Sequence, residues 1–204
     1  MNSSKREPAV SGIFYPKNPT ELNENLESLF RDSNFGPGNL PPSSNNERIY
    51  GMVSPHAGYM YSGAVAAQGY YKLSSSKFES AIILGPNHYG LGSEVAIMNT
   101  GSWKTPIGEI EIDSEVAEEI HRNCDIVNID EQAHSRDHCI EVQLPFLQYI
   151  RKEFKIVPII LINQGKNTCK KLGNGIYESI KERNLMPIAS SDLTHYESNS
   201  QAYE

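Results

Sequence analysis

The stretch Ser80–His88, with the sequence SAIILGPNH, decides how the rest of the chain is interpreted. Its first part, Ser80–Leu84, is a compact run without alternation of polar and apolar side chains. Such a run is typical of a strand that is buried on both faces of a parallel sheet. Pro86 stops the run, and His88 follows two residues later. The pattern predicts a buried strand with an imidazole just beyond its carboxyl end.

Outward from this strand, strand-like and helix-like patterns alternate along the chain. Further strands are predicted at Ile49–Ser54, Ile156–Ile162 and Pro187–Ser191, with a side hairpin of Val95–Met98 and Gly108–Ile112 around Trp103. Helices are predicted at Thr20–Asn34, Ser62–Leu73, Ser114–Arg122, Glu141–Phe154 and Thr168–Arg183. Thr20 is the predicted N-cap of the first helix. Pro145 either kinks the helix predicted at Glu141–Phe154 or marks its true start. The alternation predicts an α/β fold, a three-layer α/β/α arrangement with a largely parallel central sheet.

Composition limits the class of protein. The chain has 204 residues, which suits a single domain spanning 1–204. Its formal net charge of −7 argues against a nucleic-acid binder, because such binders need clustered cations. The longest apolar run, Ile156–Ile162, is too short to cross a membrane, and Met1–Val10 lacks the apolar core of a signal peptide. Three scattered cysteines (Cys124, Cys139 and Cys169) do not suit a disulfide framework, so we expect a cytoplasmic protein.

Two histidines occur in the same local context. His56 and His88 each follow a predicted strand and a proline, with Gly58 and Gly90 close behind them. Parallel strands end at one edge of a sheet, and ligands bind at that edge. Imidazole is a common ligand of zinc, iron and copper, so the pair predicts a metal site. The alternative is that each histidine only caps or hydrogen-bonds the turn that carries it.

A carboxylate and an imidazole follow the last predicted strand. Asp192 and His195 are three residues apart on the turn after Ser191. A carboxylate beside an imidazole orients it and raises its pKa, which suits acid–base catalysis. The alternative is that Asp192 caps a following helix.

His138 is a further candidate for a catalytic role. It lies three residues before Glu141, so the two side chains share a helical face that can point at the site. Glu141 is then the only carboxylate ligand considered besides Asp192, although acidic residues also suit a first helical turn. His121 and His134 are expected at the surface.

Several motifs together resemble the Memo family. They are GIFYP at 12–16, SPHAGY at 54–59, GPNH at 85–88, WKTPIG at 103–108, DHCIEVQLPFLQ at 137–148 and SSDLTHY at 190–196. Each motif alone is weak, but their common order from about Arg6 onward is specific. The chain is identified as an archaeal member of this family.

The resemblance implies a fold like that of the class III, LigB-type extradiol dioxygenases, with a non-haem-iron-type pocket. It implies that His56 and His88 bind iron or copper, and that His195, with Asp192 beside it, is the acid–base group. In the family a cysteine further along the chain is the third ligand. That cysteine would lie beyond residue 204, so we expect a Memo-like domain that is truncated at its C-terminal end.

Three functions follow as expectations. The first is a metal-binding protein with metal-dependent redox activity on an unknown substrate. The second is a non-catalytic module that binds a peptide or protein in the same pocket, with Phe14 and Tyr61 lining it. The third is a zinc hydrolase with Glu141 as a ligand. The resemblance also implies radical SAM and AMMECR-type proteins as partners, in the AmmeMemoRadiSam system, and eukaryotic members are linked to phosphotyrosine-peptide binding.

Overall fold

The computed structural model describes residues 4–42, 49–181, 183–194 and 196–203. In this part of the chain the strands are β1 (Lys5–Arg6), β2 (Met52–Ser54), β3 (Ser80–Pro86), β4 (Val95–Ile97), β5 (Ser102–Thr105), β6 (Gly108–Glu111), β7 (Asn128–Ile129), β8 (Lys155–Leu161) and β9 (Leu185–Ser190). The α-helices there are α1 (Pro19–Arg31), α2 (Ala64–Leu73), α3 (Ser114–Asn123), α4 (Leu144–Ile150), α5 (Lys166–Ile180) and α6 (Asn199–Ala202).

The central sheet has the strand order β2-β9-β3-β8-β4-β7. Strands β2, β9, β3 and β8 are mutually parallel, whereas β4 runs antiparallel to β8 and pairs in parallel with β7. Strand β3 lies in the middle, where Ile83 is opposite Pro158 on one side and Ile188 on the other. Its unbroken apolar run is explained by this position, and the largely parallel sheet is confirmed.

Helices cover both faces of this sheet. On one face, Ile83 belongs to a buried cluster with Phe30 of α1, Tyr70 of α2 and Phe146 of α4. On the other face, Ile82 belongs to a cluster with buried residues of α3 and α5. Successive β3 side chains therefore pack against different helix layers, as the two-residue period of a strand requires. The three-layer α/β/α arrangement is confirmed.

The predicted hairpin around Trp103 is wrong. Val95–Ile97 is β4 of the central sheet, and all three of its residues are buried. The partner of β6 is instead β5, which contains Trp103, and β1 extends this pair into a small separate sheet. The apolar run at 95 reflects burial between two neighbouring strands, which is a tertiary effect.

Local chemistry sets two helix starts. The N-cap of helix α1 is Asn18, two residues before the predicted Thr20, and its side-chain oxygen accepts the backbone N–H of Thr20 at 2.8 Å. Pro145 lies in the first turn of α4, after a short 3₁₀ turn at Glu141–Gln143. Proline thus marks the start of this helix, where its missing N–H costs nothing. No helix among the described residues has the length and apolar character that crossing a membrane demands.

Candidate metal centre

The carboxyl ends of three adjacent parallel strands carry the predicted side chains. His56 follows β2, His88 follows β3 and Asp192 follows β9, each by two residues. Strand β9 lies between β2 and β3 in the sheet, so all three turns emerge at one edge. This is the edge at which open α/β sheets bind ligands.

Three imidazole rings meet at this edge. The ring centroids of His56 and His88 lie 5.2 Å apart, and that of His138 lies 5.5 Å from His56 and 4.3 Å from His88. One ring nitrogen from each of the three falls within 4.8 Å of the other two. His56 is buried, His138 half-buried and His88 exposed, so the cluster opens toward solvent on one side. The arrangement can hold a metal ion.

Asp137 holds His88 in place. Its carboxylate accepts the backbone N–H of His88 at 2.7 Å and lies 3.1 Å from the ring Nδ1. Burial opposes ionisation of Asp137, but hydrogen bonds from His88 and from the backbone N–H of Cys139 hold its pKa well below the usual value. The hydrogen bond to Asp137 in turn raises the pKa of His88. An ionised carboxylate can only accept, so in the uncharged ring Nδ1 of His88 carries the proton and Nε2 the lone pair.

His56 is held by two neighbours from the end of β9. Its Nδ1 lies 3.0 Å from Ser190 Oγ, and its Nε2 lies 3.8 Å from Asp192 Oδ2. Asp192 also accepts the backbone N–H groups of His56 and Ala57, which ties the two strand ends together. Burial lowers the pKa of His56 to about 4 despite the nearby Asp192 charge. At neutral pH His56 is therefore an uncharged imidazole, the form that binds metal.

His138 comes from the loop before α4 rather than from a strand end. Its ring stacks on His88 and packs against Phe14 of the N-terminal segment at a centroid distance of 4.7 Å. Burial lowers the pKa of His138, and the neighbouring His88 lowers it further. His138 is thus an uncharged imidazole in a fixed position near neutral pH.

Glu141 does not reach this cluster, so the expectation that it shares a working face with His138 is wrong. Its buried carboxylate pairs with Arg6 and accepts Tyr15 OH at 2.6 Å and the backbone N–H groups of Ala9 and Val10 at 2.8 and 3.0 Å. His138 lies in the loop before the 3₁₀ turn at Glu141–Gln143, so the two residues are not on one α-helix and their side chains do not share a face. Glu141 therefore fastens the N-terminal segment.

The remaining histidines divide into three cases. His134 is fully buried, so the expectation of a surface position is wrong for it, whereas His121 is half-buried at the end of α3. His195, predicted as the acid–base group, lies outside the described residues. The turn that leads to it is unusual, because Leu193 has a φ of 63°, a left-handed conformation that is uncommon for leucine.

Sequence reasoning gave no role to three residues that shape the cluster. These residues are Asp137, Ser190 and Gln143. All three lie within the quoted motifs, at 137–148 and 190–196, but their contacts cross between distant segments. Only Asp137 offered a signal in the sequence, because a carboxylate that directly precedes a histidine is a candidate to orient an imidazole.

The fold and this cluster define an α/β protein with an imidazole-lined pocket at the carboxyl ends of parallel strands. A family model described as "Memo-like protein" matches residues 6–203. The chain is 51% identical over 199 residues to a MEMO1 family protein of Nitrosopumilus maritimus, covering 97% of the chain and 71% of the relative. It is 47% identical over 203 residues to one of Methanopyrus kandleri, with coverages of 97% and 71%, and 44% identical over 209 residues to one of Sulfolobus acidocaldarius, with coverages of 98% and 72%. The chain belongs to the Memo family.

Proposed function

We propose that this protein binds a redox-active metal ion, iron or copper, through His56, His88 and His138. The observation that carries the proposal is the meeting of one ring nitrogen from each of these residues within 4.8 Å of the others. Neutral imidazole is a suitable ligand for both metals. We assign His138 to the ligands rather than to proton transfer, because one of its ring nitrogens lies within 4.8 Å of a ring nitrogen of both His56 and His88.

The donor set fits a metal better than the neighbouring group of His88, Asp137 and Cys139 does. Those three also approach within 4.8 Å, but Asp137 is already engaged by His88 and by the backbone N–H of Cys139. The Cys139 sulfur lies 3.2 Å from the carbonyl oxygen of Pro86, and burial raises its pKa well above the usual value. In the metal-free chain Cys139 is therefore a protonated thiol in contact with Pro86, and it would have to give up both the proton and this contact to bind a metal.

Different residues of the chain have different roles around the proposed metal ion. Iron or copper with open coordination positions supplies a place where dioxygen or a substrate can bind. Asp137 orients His88, and the burial of His56 keeps bulk water from that side of the cluster. Asp192, 3.8 Å from His56 Nε2, is the carboxylate positioned to accept a proton at the site. We keep His195, three residues further along the chain, as its acid–base partner.

Metal content tests the proposal. The parent chain, a His56→Ala/His88→Ala double variant and His121→Ala are purified anaerobically and analysed by mass spectrometry for metals. His121→Ala is the matched control, because it removes a histidine from α3, away from the cluster. We expect near-stoichiometric iron or copper in the parent and the control, and little in the double variant. Equal metal in all three folded proteins would contradict the proposal.

A second function is favoured by a separate observation, an apolar groove beside the cluster. The groove has a volume of about 720 Å³ and is lined in part by Phe14, Met60 and Tyr61. Phe14 also contacts His138, so the groove adjoins the imidazoles. A non-catalytic module would bind an aromatic-containing peptide here without metal. Fluorescence anisotropy with a labelled tyrosine-containing peptide and the metal-free chain tests this, and Phe14→Ala should then abolish binding.

The family resemblance also supplies proposed partners. Radical SAM and AMMECR-type proteins are the candidates, as members of the AmmeMemoRadiSam system. Co-purification of tagged parent chain with each recombinant candidate tests the association, with the His56→Ala/His88→Ala variant showing whether the metal site takes part.

A further inference from the structure

Ser190 Oγ touches three buried polar partners. Gln143 Nε2 lies 2.8 Å from it, the carbonyl oxygen of Cys139 lies 2.6 Å from it, and His56 Nδ1 lies 3.0 Å from it. A hydroxyl group has one hydrogen to donate and two lone pairs that accept. Three contacts therefore use its full capacity, and the role of each partner can be derived.

The amide of Gln143 has only one possible orientation. Its Nε2 also lies 2.9 Å from the carbonyl oxygen of Pro55, which can only accept. Its Oε1 receives the hydroxyl of Tyr70 at 2.6 Å. Exchanging the amide nitrogen and oxygen would set two acceptors against each other at Pro55. Gln143 therefore donates to Ser190, and Ser190 accepts.

The single hydrogen of Ser190 has two possible destinations. One is the Cys139 carbonyl oxygen at 2.6 Å, and the other is His56 Nδ1 at 3.0 Å. If it pointed at His56, two oxygen atoms with lone pairs would face each other at 2.6 Å in a buried site. A buried acceptor without a donor is unfavourable, because it has lost its hydrogen bond to water and gained none in return. The hydrogen therefore points at Cys139, and the contact with His56 requires that Nδ1–H donates.

We propose that Gln143 and Ser190 are positioning residues that hold His56 in its Nδ1–H tautomer, with the lone pair on Nε2. The ring nitrogen that binds a metal is set by the hydrogen bond that the other nitrogen makes. His88 is held in the same tautomer by Asp137, so two independent supports present the same nitrogen of both rings. The consequence for metal affinity rests on the proposed function, but the tautomer does not.

The tautomer is measured directly in the metal-free parent chain. Long-range ¹H–¹⁵N correlation spectra at neutral pH distinguish a protonated ring nitrogen from one that carries a lone pair. The His56 signals are assigned by their loss in His56→Gln. We expect a protonated Nδ1 and an unprotonated Nε2 for His56. A protonated Nε2 in the parent would overturn the proposal, and this outcome needs no variant of Ser190 to fold.

Removing the acceptor tests the consequence for metal binding. Ser190→Ala should populate the Nε2–H form and weaken binding of Co²⁺, followed by its visible absorption, by about 10–100-fold, the usual cost of losing a residue that orients a ligand. Ser179→Ala is the matched control. Ser179 is also buried, accepts an amide hydrogen from Asn123 at 3.0 Å and donates to the carbonyl oxygen of Gly175 at 2.8 Å, but it lies on α5.

The two proposals fail in different ways. If the parent and the His56→Ala/His88→Ala variant bind Co²⁺ equally, the metal site fails, whereas the spectra of the metal-free chain still decide the tautomer. If Co²⁺ binds at the histidines and Ser190→Ala changes neither the tautomer nor the affinity, the positioning role fails alone. A change of tautomer and a weaker affinity in Ser190→Ala, with Ser179→Ala like the parent, supports it.

Discussion

The buried histidine His134 contributes to the pH dependence of this protein's stability. His134 is fully buried, and burial lowers its pKa to about 3, with Arg6 lowering it further against the opposing charges of Asp130 and Asp137. In the unfolded chain a histidine has a pKa of about 6.5. Between these values the unfolded state binds more protons than the folded state. The contribution of His134 is therefore present above pH ~6.5 and is lost as the pH falls toward 3.

Urea unfolding of the parent and of His134→Gln at pH 7 and pH 5 measures this contribution. Glutamine does not titrate, so the variant should lose about 2 kcal/mol less stability than the parent between the two pH values. The comparison isolates His134, because other titrating groups such as His56 are present in both proteins. The same pH response in both proteins would contradict the prediction.

At the scale of elements, the N-terminal segment is fastened to the loop that carries His138. Arg6 of β1 forms a buried ion pair with Glu141, and its guanidinium also donates to the carbonyl oxygens of His134 and Asp137 at 3.0 and 2.6 Å. Removing the charge of one partner in such a buried pair leaves the other uncompensated. Glu141→Gln should therefore lower the free energy of unfolding in urea by about 3 kcal/mol.

Glu27→Gln is the control for this loss. It removes the same charge from an exposed ion pair with Arg31 on α1, where the carboxylate and guanidinium lie 2.9 Å apart. Exposed pairs contribute about 0–1 kcal/mol. Similar losses in the two variants would show that Glu141 does not fasten the segment.

Much of the element pattern was predictable because it depends on local chemistry. The apolar run at Ser80–Leu84 indicates a strand that is buried on both faces, and Pro145 indicates the start of a helix. The run at Val95–Met98 has the same local character, but its place between β8 and β7 depends on residues more than thirty positions away. A sequence pattern indicates that such an apolar run is buried, but it does not indicate which strands lie beside it in the sheet.

In the candidate site, too, local sequence predicts some residues, whereas long-range contacts determine the others. His56, His88 and Asp192 could be expected together because parallel strands end at one edge. Asp137 and Ser190 orient the two imidazoles through contacts that span 49 and 134 residues, and nothing in the local pattern specifies them. His138 is part of a recognisable motif, but it lies in the loop before the 3₁₀ turn at Glu141–Gln143, whereas its spacing to Glu141 predicted a shared helical face.

At the scale of the whole molecule, the cluster depends on close packing between β3 and the loop that carries His138. Gly85 of β3 allows this approach, since a Cβ atom there would lie 2.4 Å from Cys139 Sγ and 3.1 Å from Cys139 Cβ. Gly85→Ala should displace the loop. We expect a loss of stability of about 1–3 kcal/mol, as for other overpacked sites, together with weaker Co²⁺ binding.

Two further variants distinguish displacement of the loop that carries His138 from a general effect of replacing glycine by alanine. Gly173→Ala on α5 places its Cβ where no atom lies within 4 Å, so it should raise stability by up to about 1 kcal/mol and leave Co²⁺ binding unchanged. Cys139→Ala added to Gly85→Ala removes the sulfur, the nearer of the two overlapping atoms, and should restore part of both losses. If the double variant binds Co²⁺ no better than Gly85→Ala, overlap with the sulfur is not the cause. The remaining overlap, 3.1 Å from Cys139 Cβ, would then account for the displacement of the loop.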